Sequence, residues 1–224
     1  MIEHQRPSTA KQQATARANA NIAFIKYWGN RDDALRLPAN GSISMNLDGL
    51  YAETTVRWDS SLEHDQLVLN RVVETGAALE RVSRHRDVLR DRLGIRERAA
   101  VESANNFPTG AGIASSAAAF AALTVAGASA AGAELSEREL TTLARRGSGS
   151  ASRSVPTGFV VWHVADQHAD SFAESVAPPE HWNLVDVIAI VSKEHKSVGS
   201  TAGHQSANSS DLQAARVAGA AERL

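Results

Sequence analysis

The sequence predicts a mixed fold, α+β or α/β. Three observations carry this: short runs of alternating or β-branched residues, stretches with helical spacing or helix caps, and the interleaving of the two along the chain. Residues 14–23 alternate as a strand does. Residues 43–47 and 51–58 are rich in β-branched and aromatic side chains, and Asp48-Gly49 between them predicts a hairpin turn. Residues 65–69 add a strand. Residues 77–93 place Leu79, Val82, Leu89 and Leu93 on one helical face, and Gly94 stops the helix. The opposite face, Arg81 to Arg92, is interrupted by Glu80, Asp87 and Asp91, and such mixed signs predict a solvated surface. Residues 99–103 form a strand running into a loop where Pro108, Gly110 and Gly112 forbid a helix before Ile113. An alanine-rich helix follows. Ser136-Glu137-Arg138-Glu139 has the form of a capping box, predicting a helix to about Arg146 that Gly147-Ser148-Gly149-Ser150 ends. Residues 159–164 and 184–191 are further strand candidates, with Pro178-Pro179 between them as the best domain boundary. Residues 211–224 are helical in pattern.

At 224 residues the chain has room for one large domain or one and a half. With 43% hydrophobic and 21% charged residues it can bury a core, which excludes global disorder. The 23 basic against 25 acidic residues, a net charge of −2, supply no general field for nucleic acid or anionic lipid. Any bound anion must be held locally. The lack of cysteine removes disulfides, thiol catalysis and thiolate zinc sites, and fits a reducing cytoplasm. Residues 1–11 are polar, unlike a secretory signal. Residues 107–133 carry no charge and are long enough to span a bilayer, but they are mostly Ala, Gly, Ser and Thr, which predicts a closely packed buried helix instead. No membrane or nucleic-acid partner is expected.

Three clusters could carry chemistry. Pro108-Thr109-Gly110-Ala111-Gly112-Ile113-Ala114-Ser115-Ser116 feeds a glycine-rich loop into a helix N-terminus, where unpaired amides and the positive helix end favour a phosphate. It is no Walker A loop, since no Lys precedes Ser115, and Ser115 stands where the dinucleotide fingerprint needs its third Gly. A second loop, Gly147 to Ser154, offers Ser148, Ser150 and the donor fork of Arg153 to an oxyanion. The third, Asn19 to Gly29, places Asn21, Lys26, Tyr27 and Trp28 at the end of an apolar strand. The eight histidines lack the spacing of a metal site, and no metal ligand is predicted.

In this order the three segments resemble the mevalonate diphosphate decarboxylase family of the GHMP kinase superfamily: Asn21 to Gly29, Asn105 to Ser116, and Arg145 to Ser154. The resemblance runs from about Thr15 to the chain end. It implies an α+β, GHMP-kinase-like two-domain fold. Residues 1–182 would form a ribosomal-S5-like ATP domain, and residues 183–224 would begin a ferredoxin-like domain. It also implies ATP and Mg²⁺ as cofactors, a small-molecule substrate, a homodimer, and decarboxylation of a 5-phosphorylated mevalonate to an isopentenyl product, ADP, Pi and CO₂. On this resemblance Pro108 to Ser116 would cradle the ATP phosphates and Arg153 would hold the substrate carboxylate, oriented by Asn21. Lys26 and Tyr27 would line the substrate phosphate site, with Ser148 and Ser150 on phosphate or carboxylate oxygens.

Two departures from the family pattern shape further expectations. Asn30 stands where the family has a Lys associated with the 5-diphosphate. Losing one charge-assisted contact, worth about 1.5–3 kcal/mol, predicts a preference for mevalonate 5-phosphate unless Arg31 or Arg36 replaces the cation. The family's catalytic Asp, in an Asp-Ala-Gly-Pro segment, has no counterpart here. This predicts either a fragment lacking most of its second domain or a short paralogue. Two alternatives therefore stand beside the decarboxylase: a mevalonate-type 3-kinase that stops at phosphorylation, and a non-catalytic nucleotide- or metabolite-binding paralogue.

Overall fold

The computed structural model describes residues 12–108, 113, 115–189 and 200–224. A long strand, β1 (Gln13–Ile25), leads through two short strands, β2 (Asn30–Asp32) and β3 (Leu37–Pro38), into β4 (Ser42–Asp59). Then come β5 (Gln66–Leu69), β6 (Val72–Val73), helix α1 (Gly76–Leu93) and β7 (Arg98–Asn105). Helices α2 (Ser115–Ala130) and α3 (Glu137–Gly147) precede a 3₁₀ turn at Gly149–Ser154 and strands β8 (Phe159–Trp162) and β9 (Ala173–Ala177). Short helices α4 (Ser200–Ser206), α5 (Gln213–Ala218) and α6 (Ala220–Arg223) close the chain. The main sheet runs β6-β5-β7-β4-β8-β9, with β1 also on β4 and the β5–β7 pair parallel.

β4 organises everything else. The hairpin expected at Asp48-Gly49 does not form, because the two predicted strands are one strand whose halves both pair with β1. Asn19 faces Tyr51 while Asn21 faces Asn46, so residues 47–50 leave the ladder as a bulge. Gly49 does take the left-handed φ of +76° that the turn signal foretold, yet the chain continues in the same direction. β4 then pairs β7 over residues 52–59 and β8 over residues 42–45.

Helix α2 lies across β1 and β4, with Ala117, Ala118, Ala121, Ala122 and Ala126 fully buried. Small side chains let the helix axis approach the sheet. At Gly127 the carbonyl accepts the Trp58 indole N–H at 2.9 Å, and a Cβ there would sit 2.8 Å from Leu89. Among the described residues no helix is long and apolar enough to cross a membrane. Helix α3 carries the predicted capping box in full: the Ser136 hydroxyl accepts from the Glu139 amide, and the Glu139 carboxylate accepts from the Ser136 amide.

The arginine face of α1 is solvated only in part: Arg84 and Arg92 are exposed as expected, but two others are not. Arg86 is fully buried and Arg90 nearly so, because that face lies against the ends of β5 and β7. Arg86 donates to the carbonyls of Gln66 (3.1 Å) and Ala99 (2.8 Å), and both arginines meet Asp65. Burial works to raise the Asp65 carboxyl, but the Ala99 amide and the two guanidiniums hold it below the usual carboxylate range.

On the same helix His85 packs edge-on to Phe120. Thr124 spends its hydroxyl proton on the Phe120 carbonyl, so its oxygen accepts from His85 Nε2–H at 2.8 Å. Burial, reinforced by Arg146, Arg36, Arg81 and Arg86, pushes His85 down to about 3. The folded protein therefore keeps His85 neutral while the unfolded chain binds a proton below its ordinary value of 6.5. Stability is complete above about pH 6.5 and falls as pH drops toward 3, with His85 alone removing about 2 kcal/mol between pH 7 and 5. Urea unfolding at the two pH values checks this. The difference should shrink by that amount in His85→Gln, and an unchanged difference would exclude His85 as its source.

The strand expected at residues 184–191 is absent over its described part. Residues 184–189 take no regular structure and join neither sheet, and residues 190 and 191 lie outside the described set. The helical pattern of residues 211–224 is realised as α5 and α6, interrupted at Gly219.

Candidate active site

The centre of the site is Arg153, in the 3₁₀ turn that follows α3. Its side chain is 3% exposed, yet no carboxylate pairs with it among the described residues. Instead Nε donates to Ser44 Oγ (3.2 Å), Nη1 to Ser42 Oγ (2.6 Å) and Nη2 to Asn21 Oδ1 (3.3 Å). Ser42 and Ser44 are alternate residues of β4 and so share one face. Asn21 is fixed by its amide, which donates to Ser154 Oγ (2.8 Å) and the Ser150 carbonyl (3.1 Å). Burial pulls the Arg153 guanidinium down to about 10, which leaves it charged at neutral pH. A buried cation among neutral acceptors, with donor capacity left over, is suited to an anion from outside.

Tyr27 forms the adjoining wall. Its ring meets the edge of Trp162 at 4.6 Å between centroids and stacks on His204 at 4.1 Å. Glycine is required at 149 for this packing, since a Cβ there would lie 2.5 Å from the Tyr27 ring. Burial pushes the Tyr27 phenol up to about 12, so it remains a donor, and it gives its proton to Asn30 Oδ1. Asn30 in turn donates to Asp33 Oδ1 at 2.7 Å. From the C-terminal segment, His204 Nδ1 accepts from the Gly29 amide at 3.0 Å, which puts its proton on Nε2. Burial, with Arg36 and Arg153 nearby, holds His204 down at about 4. Arg216 and Gln213 donate to the carbonyl of Trp28, and Arg216 also to that of Lys26, pinning α5 over the loop after β1.

A second region opens at the N-terminus of α2. An apolar cavity of about 160 Å³ lies between α1, α2 and the sheet, lined by Leu67, Val82, Val101, Phe120 and Leu123, with Ser115 and Ser116 at one end. Ser116 Oγ stands 3.2 Å from Ser148 Oγ, so this region and the Arg153 loop meet at two serines. Arg81 reaches the same junction, lying over the Phe120 ring and donating to the Gly147 carbonyl at 3.3 Å. Burial pulls Arg81 down to about 10.

The structure thus brings Asn21, Tyr27, Asn30, Ser148, Ser150 and Arg153 together, with Ser115 and Ser116 adjoining. Lys26 sits exposed beside them at the end of β1. Pro108 is exposed, Ile113 packs toward Phe107, and Thr109, Gly110, Ala111, Gly112 and Ala114 lie outside the described residues. Sequence reasoning missed Ser42, Ser44, Trp162 and His204. The Ser-Ile-Ser alternation of residues 42–44 was a usable signal, because two hydroxyls on one face of a strand need a partner once that face is buried. Nothing local announces His204. His163 hydrogen-bonds Glu174 on the surface, and His168 accepts from Arg145.

A family model, the diphosphomevalonate decarboxylase-like N-terminal domain, matches residues 18–173. The chain belongs to this family. A diphosphomevalonate decarboxylase of Ganoderma lucidum is 41% identical over 210 residues, which cover 86% of this chain and 52% of that protein. The chain spans about half the length of the curated relatives it matches most strongly. Among solved structures, mevalonate diphosphate decarboxylase from Staphylococcus aureus superposes with a TM-score of 0.83 at 37% identity, over 94% of this chain and 64% of that one. A neighbour solved with MVAPP, AMPPCP and magnesium gives a TM-score of 0.85 at 35% identity, over 94% and 65%. The α+β, GHMP-kinase-like fold expected from the sequence is therefore the fold of the family.

Proposed function

We propose that this protein takes part in the ATP-dependent decarboxylation of a 5-phosphorylated mevalonate. The observation that carries this reading is Arg153, a buried guanidinium with three neutral acceptors and no carboxylate partner among the described residues, beside serines that join it to the α2 N-terminus. A substrate carboxylate is the natural complement of its remaining donors.

The nucleotide side fits ATP. The apolar cavity suits a base, and the α2 N-terminus with Ser115, Ser116 and Arg81 suits phosphates. No group of three His, Asp or Glu side chains that could hold a metal occurs among the described residues, so Mg²⁺ would rest on the nucleotide's own phosphates, helped by serine hydroxyls. Bound ATP supplies the chemistry that makes the tertiary 3-hydroxyl a leaving group. The chain's own residues do the rest. Arg153 orients the carboxylate, Ser148 and Ser150 bind oxyanions, and Tyr27 and Trp162 keep water from the charged centre. The 5-phosphate preference expected from Asn30 alone finds no counterpart in the relatives above, which are named for the diphosphate. Residues 1–182 are proposed as the ATP- and substrate-binding domain and residues 183–224 as the start of a second, the whole assembling as a homodimer.

Incubating the 224-residue chain with ATP, Mg²⁺ and mevalonate 5-diphosphate, and following ADP and CO₂ separately, tests the reading. Release of both places a catalytic base within these residues. ADP without CO₂ supports the 3-kinase, and binding of both ligands without turnover supports the non-catalytic binding reading.

A further inference from the structure

We propose that Arg36 is the cation that receives the phosphate end of the substrate, taking the part that a positive charge at position 30 would otherwise play; this rests on the substrate class proposed above. Arg36 lies between β2 and β3, in the loop held against the last turn of α3. Two reciprocal contacts lock it there. Arg145, fully buried, donates from Nη1 to the Leu35 carbonyl at 2.6 Å, and Arg36 Nε donates back to the Arg146 carbonyl at 3.0 Å. The backbone of Arg36 has a φ of +51°, a conformation that a residue with a Cβ holds only where its surroundings impose it. With Nε spent on the clamp, both Nη groups are left without a partner among the described residues.

The carbonyl to which Arg36 is clamped, that of Arg146, lies two residues before Ser148 of the candidate site. Among the charges acting on the Tyr27 phenol, Arg36 comes first, ahead of Arg153, and the same order holds at the His204 imidazole. The β2–β3 ladder sets Pro38 opposite Asn30, the acceptor of the Tyr27 hydroxyl, so the segment that carries Arg36 runs beside the aromatic wall of the site. Two acids lie in this hairpin, and both are engaged: the Asp33 carboxylate accepts from the Asn30 amide at 2.7 Å and the Asp32 carboxylate from the Leu35 amide at 2.8 Å. The other candidate for a replacement cation, Arg31, is directed away and pairs with Asp166 on the surface. A guanidinium whose Nε is clamped and whose two Nη groups are free presents a planar pair of donors, the geometry that binds two oxygens of one phosphate. The arrangement restores the charge lost at Asn30 and so fits a diphosphate end.

Calorimetric titration of the full 224-residue chain with mevalonate 5-diphosphate, and separately with inorganic pyrophosphate, tests this. Arg36→Leu is expected to weaken mevalonate 5-diphosphate at least tenfold, Arg31→Leu to leave it unchanged, and Asn30→Lys placed in the Arg36→Leu chain to recover most of the loss. That recovery requires a folded chain and separates recognition from misfolding. If Arg36→Leu binds mevalonate 5-diphosphate as tightly as the parent chain, the assignment fails while the substrate reading stands. If the parent chain ignores mevalonate 5-diphosphate but binds pyrophosphate in an Arg36-dependent way, the anion site stands and the mevalonate reading fails. No Arg36-dependent binding of either ligand overturns the proposal.

Discussion

Replacing Arg153 with lysine is expected to cut kcat/KM for the decarboxylation by about three orders of magnitude, the scale of losing an oriented donor to a developing or bound oxyanion. Lysine keeps the charge but not the fork. The guanidinium reaches Ser42, Ser44 and Asn21 at once, and these contacts define the plane in which its remaining N–H groups point. An ammonium at the end of a flexible stem satisfies one or two of the three acceptors and leaves the others buried without a donor. Because the apolar cavity proposed for the nucleotide is built from other residues, affinity for an ATP analogue should stay within about threefold. Steady-state kinetics with a parallel nucleotide titration checks both halves. A variant that retains activity within tenfold would remove Arg153 from the substrate site.

The largest effect on stability is expected from Arg86→Ala, a loss of about 3–5 kcal/mol in urea unfolding. The substitution removes the donors to the Gln66 and Ala99 carbonyls, opens a space beneath α1, and leaves the Asp65 carboxylate with Arg90 as its remaining guanidinium. Arg86→Met, which keeps most of the volume, should lose less, since packing is then preserved while the carbonyls still go unpaired. A cost below 1 kcal/mol for Arg86→Ala would mean that water replaces the guanidinium, contrary to the complete burial of this side chain.

Most of the elements were legible from the chain alone. The capping box at Ser136 depends on residues three apart, and so does its hydrogen bonding; both are local and came out as predicted. The alanine-rich run became a buried helix because small residues can be apolar enough for a core and too weakly so for lipid. The conformation of Gly49 was also legible. What it led to was not, because whether a left-handed glycine reverses a chain or makes a bulge depends on the strand alongside, and β1 is long enough to pair with both halves of β4. The arginines of α1 failed for a similar reason. Mixed charge along a helix describes a solvated face only when nothing covers it, and the ends of β5 and β7, brought there by the sheet, cover Arg86 and Arg90.

The same division runs through the candidate site. Asn21, Tyr27, Ser148, Ser150 and Arg153 lie in continuous motifs whose residue types already suit an oxyanion, so the sequence order was enough to single them out. Their partners come from elsewhere in the chain: Ser42 and Ser44 from β4, Trp162 from β8, His204 from the C-terminal segment, and Arg36 from a loop held by Arg145. Reading along the chain supplies the chemistry of a side chain. Which charges are buried, which donors are spent and which remain free are properties of distance between remote segments, and only the folded chain sets those distances.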